Sequence, residues 1–242
     1  MRKEVLLIQN EYDRTVGVHV FYMNYSFLNL CTEAEPAAML SILVQLGGKT
    51  LHIEDLSDLT IPDKDHYCIL PKNENHLSQL LHGVLTEHPE LKPEMMFLGK
   101  DRFLAMDEVE ENADYQKLII CTVPEVNKER YDVLMDTVDA FYQKCKLDME
   151  KLRADYTTRQ TRELKNGSIQ EMDEAKEGMD KITELYVKMR EELYCMKKAE
   201  IEDAHKRYLE KQQEKAALLQ EENDAKGEFA GFSMNMFSDD NE

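Results

Sequence analysis

The most constraining feature of the sequence is an unbroken three-four spacing of apolar residues between Met172 and Met196. Such a seam is typical of a helix that packs against a neighbour along its whole length. With 14 methionines and no tryptophan, the composition suits helix packing, because flexible methionine fills irregular gaps. The members of the seam are Met172, Ala175, Met179, Ile182, Tyr186, Met189, Leu193 and Met196.

The preceding segment has the pattern expected of the neighbouring helix. A single apolar stripe predicts a helix from about 126 to 165, entered through Val123-Pro124-Glu125, because proline is tolerated at a helix start. Gly167 then interrupts it, and Ser168 with Glu171 forms the pattern of a capping box. The short loop predicts an antiparallel hairpin. The stripe consists of Leu134, Val138, Phe141, Cys145, Leu152 and Tyr156.

The remaining segments give weaker signals. Strands are predicted at 42–46, 66–70 and 118–123, and a helix is predicted at 74–87. The double glycine Gly47-Gly48 predicts a turn after the first strand. Residues 1–35 stay ambiguous, because their many β-branched and aromatic residues favour strand. A helical stripe also runs through this segment, formed by Leu6, Val16, Val20, Met23, Phe27 and Leu30.

The seam stops after Met196, since the next residues in phase are Glu200, Asp203 and Arg207. A weaker stripe in a shifted phase restarts at Ile201. We therefore expect a solvated helical extension over 201–222 that leaves the bundle. The acidic, glycine-containing residues 223–242 are expected to be a disordered tail.

Composition and motifs exclude several classes of protein. No apolar run is long enough for a membrane span, and the odd number of cysteines without a CxxC pair indicates a reducing, cytoplasmic location. His76, His82 and His88 recur every six residues, which does not align them on one helix face, so no metal site is expected. No nucleophile, phosphate-binding or cofactor motif is present. We expect no enzyme activity, cofactor or small-molecule substrate.

The charge distribution qualifies what the chain can bind. The net charge of −19 argues against tight general binding to nucleic acid. Residues 125–200, however, hold 15 basic and 18 acidic residues, so this segment can carry a local basic surface.

Residues 118–200, from LIICTVPEVNKERYDVL to MKKAEI, resemble the C-terminal part of ribosome recycling factor. A weaker similarity covers 34–94, beginning at AEPAAML. The resemblance implies an α+β fold in which 1–35 and 124–200 form a three-helix bundle. A small α/β domain, 37–123, is then inserted and hinged at Glu35, Pro36, Val123 and Pro124.

The resemblance also implies a function and the residues that serve it. It implies a monomeric translation factor that binds large-subunit ribosomal RNA and acts with elongation factor G. Its RNA-binding residues would be Arg153, Arg159, Arg162 and Lys146, with Arg153 at the position of the family's main RNA-contacting arginine. The spacing of the four permits a basic strip along one side of the helix. Three positions that are basic in the family are occupied here by Leu30, Glu33 and Glu150.

A second function from a different class stays open at this point. The hairpin could serve as a protein-interaction scaffold, with the extension 201–222 binding a partner helix. The two alternatives differ in whether the chain associates with ribosomes.

Overall fold

A computed structural model describes residues 2–99, 103–105 and 115–234, with only the backbone described for 221–234. The elements, numbered in chain order, are α1 (Lys3–Leu28), α2 (Pro36–Leu40), β1 (Leu43–Leu46), β2 (Lys49–His52), α3 (Ile53–Leu56), β3 (Ser57–Asp63), β4 (His66–Pro71), a 3-10 turn (Glu74–His76), α4 (Leu77–Glu87), β5 (Lys92–Leu98), β6 (Phe103–Leu104), β7 (Gln116–Thr122), α5 (Lys128–Glu163) and α6 (Ile169–Met234).

The N-terminal segment is a helix, which resolves the ambiguity left by its composition. Its buried residues recur at three and four and face α5 and α6. Tertiary packing therefore outweighs the strand preference of its many aromatic and β-branched residues. Leu6 does not belong to the stripe, because its side chain is 42% exposed. The buried residues of α1 are Val5, Ile8, Gln9, Tyr12, Val16, Val20, Met23 and Phe27.

Helices α5 and α6 form the predicted antiparallel hairpin. The stripe expected on α5 packs into the core shared with α1 and α6. The capping box is confirmed, since the Glu171 amide donates to Ser168 Oγ at 3.2 Å and the Ser168 amide donates to Glu171 Oε2 at 3.0 Å. At the start of α5, the amide of Arg130 donates to the side-chain oxygen of Asn127. The three long helices form one bundle.

The seam on α6 continues further than the sequence indicated. Met189 and Met196 are 40% and 68% exposed, whereas Arg190 and Lys197, one residue later, are buried. Long cationic side chains can bury their stems while the charged ends find polar partners. With these two residues included, the seam runs on through the buried Ile201 and Ala204 in the bundle core.

The C-terminal region is helical as expected and largely exposed over 209–220, but it differs from the expectations in two respects. The segment after residue 200 does not leave the bundle at once as a solvated extension, because its first turn packs into the core. The expected end of the helix at 222 and the expected disorder from 223 are not found either, since the α6 backbone continues to Met234. Residues 235–242 of the expected tail lie outside the described part of the chain.

The elements between α2 and β7 form an inserted domain with its own core. A five-stranded antiparallel sheet has the strand order β3-β4-β7-β5-β6, and β1 and β2 form a separate hairpin. The turn of that hairpin is made by Gly47 and Gly48, whose φ angles of 56° and 78° favour glycine. The three predicted strands and the predicted helix are confirmed within a few residues, whereas β2, β3, β5 and β6 were missed.

Two linkers, residues 29–35 and 123–127, connect the bundle core to the core of the inserted domain. The expected α+β fold, a three-helix bundle with an inserted domain, is confirmed. Among the described residues, no helix is both long enough and apolar enough to span a bilayer.

Candidate functional site

The four basic residues identified from the sequence all lie on α5, but they do not share one side of it. Arg153 reaches towards α6, where it contacts Asp180, whereas Arg159 reaches towards α1, where it contacts Glu11. Six residues along an α-helix correspond to a rotation that leaves two side chains about 120° apart. The single basic strip that the spacing permits is therefore not formed.

Arg153 lies beside a groove between α5 and α6. The groove has a volume of about 330 Å³, and Gln160, Lys176 and Asp180 also line it. The guanidinium donates a hydrogen bond to Asp180 Oδ1, and the two side chains are 46% and 34% exposed. Exposed ion pairs contribute only about 0.2–1 kcal/mol. The arginine can therefore leave this carboxylate for a phosphate at low cost.

Two further cations belong to the same side of the hairpin as Arg153. Lys146 precedes it by seven residues, two helical turns, and is half-buried. Lys176 lies across the groove on α6 and is exposed. Lys176 was not predicted from the sequence, although its position next to the buried Ala175 of the seam places it at the edge of the packed face.

Arg159 is held more firmly than Arg153. Its two terminal nitrogens donate to both carboxylate oxygens of Glu11, at 3.1 and 2.7 Å, and its guanidinium lies 4.7 Å from the centre of the Tyr156 ring. The hydrogen bond from Arg159 lowers the pKa of the Glu11 carboxyl below its usual value, and one from Tyr156 adds to the effect. Arg162, in the last turn of α5, is exposed. Of these two arginines, Arg159 contacts α1, and both lie away from the side of α5 that carries Arg153.

The four expected hinge residues lie in or beside the two linkers. The Glu35 amide donates to the Tyr67 hydroxyl at 2.9 Å, and Pro36 begins α2. Val123 is buried, and its amide donates to the Asp65 carbonyl at 2.8 Å. Pro124 accepts a hydrogen bond from the Arg130 guanidinium. In each linker, backbone groups are thus held by hydrogen bonds to side chains or to the backbone. A hinge function for these residues stays a prediction.

A buried polar cluster beside the linkers escaped the sequence analysis. His88 is completely buried, and its Nε2 lies 3.1 Å from the Ala38 carbonyl, while its Nδ1 lies 3.3 Å from Glu90 Oε1 and 3.8 Å from Cys31 Sγ. Burial alone would lower the pKa of His88, but hydrogen bonds with Cys31 and Glu90 outweigh it and raise the pKa to about 10. The imidazole is therefore charged and paired at neutral pH.

The donor atoms of Cys31, His88 and Glu90 lie within 4.8 Å of one another, close enough to ligate one metal ion. Their surroundings account for them without an ion. The imidazolium pairs with Glu90, and the guanidinium of Arg130 donates to the Cys31 carbonyl at 2.6 Å and acts electrostatically on Glu90. A second positive charge already neutralises this corner, so we interpret the cluster as an ion-pair network that connects linker 29–35 to the inserted domain.

The three residues that replace expected basic residues have different environments. Leu30 packs against the bundle core, and Glu150 is exposed on α5. Glu33 forms ion pairs with Arg207 at 3.4 Å and with Lys64 at 3.6 Å. The carboxylate at position 33 therefore has a structural partner on α6, which the sequence analysis did not foresee.

Comparison with known proteins identifies relatives over most of the chain. A family model described as ribosome recycling factor matches residues 26–202. The ribosome-recycling factor of Flavobacterium johnsoniae is 22% identical over 203 residues, which are 83% of this chain and 98% of that protein.

A solved structure shows the same fold. A solution structure of the ribosome recycling factor is similar with a TM-score of 0.65 and 20% identity, covering 84% of this chain and 100% of its own. A second match has a TM-score of 0.45 and 19% identity over 80% of this chain and 98% of its own. It is described as models for the T. thermophilus ribosome recycling factor and the E. coli elongation factor G bound to the E. coli post-termination complex.

Proposed function

Because this chain belongs to the ribosome recycling factor family, we propose that it binds the large ribosomal subunit and helps elongation factor G to disassemble ribosomes after termination. The observation that carries the proposal is the extent of the family match, residues 26–202, which includes both linkers and the inserted domain. A scaffold built on the hairpin alone would not need that domain, so the scaffold alternative is not favoured.

The side of the hairpin that carries Arg153 is the proposed RNA-contacting surface. The planar guanidinium can donate two parallel hydrogen bonds to a phosphate, and Lys146 and Lys176 add positive charge on the same side. Arg159 and Arg162 are proposed as a second contact, weaker because Glu11 already occupies Arg159. The net charge of −19 limits non-specific association, so binding depends on these local cations.

The proposed mode of action is binding followed by a change in ribosome structure. We assign the protein no catalytic step of its own and place it in the cytoplasm as a monomer. The three-helix bundle, 1–35 and 124–200, and the inserted domain, 37–123, are proposed as its two working parts.

Co-sedimentation with large ribosomal subunits over a range of salt concentrations tests the proposal. We expect wild type to pellet with the subunits at low salt and Arg153→Glu to bind about tenfold more weakly, because a hydrogen bond to a charged group contributes about 1.5–3 kcal/mol. The slope of log affinity against log salt should fall by about one. Lys188→Glu is the matched control, since it makes the same charge change at an exposed residue of α6 that pairs only weakly with Glu192.

Two results would contradict the proposal. The first is wild-type protein that stays in the supernatant at low salt. The second is an Arg153→Glu variant that binds as well as Lys188→Glu, which would remove Arg153 from the interface. Splitting of post-termination ribosomes in the presence of elongation factor G, followed by light scattering, then tests whether bound protein is active.

A further inference from the structure

The inserted domain is attached to the bundle by two chain crossings, and both meet the turn between β3 and β4. The Ala34 amide donates to the Lys64 carbonyl at 2.6 Å, and the Val123 amide donates to the Asp65 carbonyl at 2.8 Å. The turn at Lys64 and Asp65 is therefore where the inserted domain meets both linkers. A third element that held this turn to the bundle would fix the angle between the two domains.

Helix α6 supplies such an element just beyond the hairpin. Ile201 and Ala204 are buried in the bundle core beside Val126 of the second linker. His205 Nδ1 donates to the Val126 carbonyl at 2.8 Å, and its ring lies 4.7 Å from that of Tyr131. The first turns past residue 200 are thereby docked on the linker rather than free in solvent.

The next turns of α6 form ion pairs with residues of the two linkers and of the inserted domain. Arg207 pairs with Glu33 of the first linker at 3.4 Å. Lys211 pairs with Asp65 of the β3–β4 turn at 3.1 Å and with Glu125 of the second linker at 3.9 Å. One continuous helix thus contacts the bundle core, both linkers and the inserted domain. Most of this segment lies beyond residue 202, where the family match ends.

We infer that residues 201–211 of α6 form a brace that positions the inserted domain relative to the bundle. The apolar contacts of Ile201 and Ala204 hold the brace on the bundle core. The ion pairs of Arg207 and Lys211 connect it to the two linkers and to the β3–β4 turn of the inserted domain. Because α6 is unbroken from the hairpin through these residues, bending at the linkers must break the pairs. The brace would also set the arrangement of the two domains in which the protein meets the ribosome, and this consequence rests on the proposed function. The positioning of the inserted domain in the free protein does not rest on it.

A distance measurement between the domains of the free, full-length protein tests the brace. Spin labels are attached at His82→Cys on α4 and Thr161→Cys on α5, in a background where the exposed Cys195 is replaced by serine; the four other cysteines are buried. Pulsed electron paramagnetic resonance then gives the distribution of distances. We expect one narrow distribution for the unaltered brace and about a fivefold rise in the open fraction for Lys211→Glu combined with Arg207→Glu.

Matched variants make the result specific to the brace. Lys206→Glu reverses one charge on the same helix, as each of the two substitutions does, but Lys206 pairs with Glu210 of α6 itself, so the distribution should stay narrow. Lys211 pairs with both Asp65 and Glu125, so Lys211→Glu combined with Asp65→Lys and Glu125→Lys reverses both pairs and should restore the narrow distribution that Lys211→Glu alone broadens. Unchanged distances in the Arg207 and Lys211 variant, equal broadening by Lys206→Glu, or failure of the reversed pairs would each overturn the inference. Because ribosomes are absent, none of these outcomes depends on the proposed function.

Discussion

The crossing of α1 and α6 at Gly178 gives the sharpest stability prediction. A Cβ atom at position 178 would lie 2.6 Å from Gln9 Nε2 and 2.9 Å from Gln9 Oε1, which is closer than real Cβ contacts allow. Gln9 is buried, and its Nε2 donates to the Ala175 carbonyl at 2.8 Å. The glutamine cannot move aside without giving up that hydrogen bond.

Three contributions determine the size of the effect of Gly178→Ala. Loss of a buried hydrogen bond costs about 1–3 kcal/mol, and overpacking costs about 1–3 kcal/mol. The higher helix propensity of alanine stabilises the folded state by about 1 kcal/mol relative to glycine. We therefore expect Gly178→Ala to lower the free energy of unfolding by about 3 kcal/mol.

Urea unfolding, monitored by the circular dichroism signal of the helices, measures this change. The same substitution is also made in a Gln9→Ala variant as the control. In the Gln9→Ala background the obstacle is gone, so Gly178→Ala should be neutral or stabilising by up to about 1 kcal/mol. The reasoning is refuted if Gly178→Ala leaves the wild-type stability unchanged, or if it destabilises both backgrounds equally. Either result would mean that the helices do not cross with Gln9 against residue 178.

Two further predictions concern charged groups. Asp180→Asn removes the carboxylate that competes for Arg153, so ribosome co-sedimentation should show about two- to fivefold tighter binding; unchanged or weaker binding would contradict the proposed role of the groove. The pKa of His88 is raised from about 6.5 in the unfolded chain to about 10 in the folded protein. The pairing of His88 with Glu90 therefore stabilises the folded state fully below pH 6.5, and this stabilisation is lost as the pH rises towards 10. The difference in urea midpoint between wild type and His88→Gln should therefore be largest near pH 6 and shrink by pH 10, and a constant difference would refute it.

The sequence predicted the bundle well where apolar residues alone define the packed face. The α5 stripe and the capping box at Ser168 followed directly from spacing. The phase of α6 was misjudged because Arg190 and Lys197 were counted as polar, although their stems fill seam positions. The same error ended the seam too early and concealed the docking of Ile201.

In the inserted domain, whether a strand could be predicted from the sequence depended on its position in the sheet. The central strands β4 and β7 are mostly buried, and their apolar runs made them recognisable. The outer strand β3 and the largely exposed β5 carry polar residues and a proline each, so they lack that signal. The ion pairs of Glu33 and the network around His88 join residues far apart in the chain, which no local pattern can indicate.

The two buried cations on α6 restrict how the helices can be aligned. Arg190 lies 4.9 Å from the centre of the Tyr142 ring and donates to Glu191 at 2.8 Å, and Lys197 donates to Glu200 at 2.7 Å. A seam of leucine and methionine alone could slide by a turn with little loss. Here, a slide would carry the Arg190 guanidinium away from the ring and hydroxyl of Tyr142 on α5. It would also carry Glu200, the partner of Lys197, away from Thr32, whose hydroxyl donates to it. These contacts therefore favour one axial alignment of the helices.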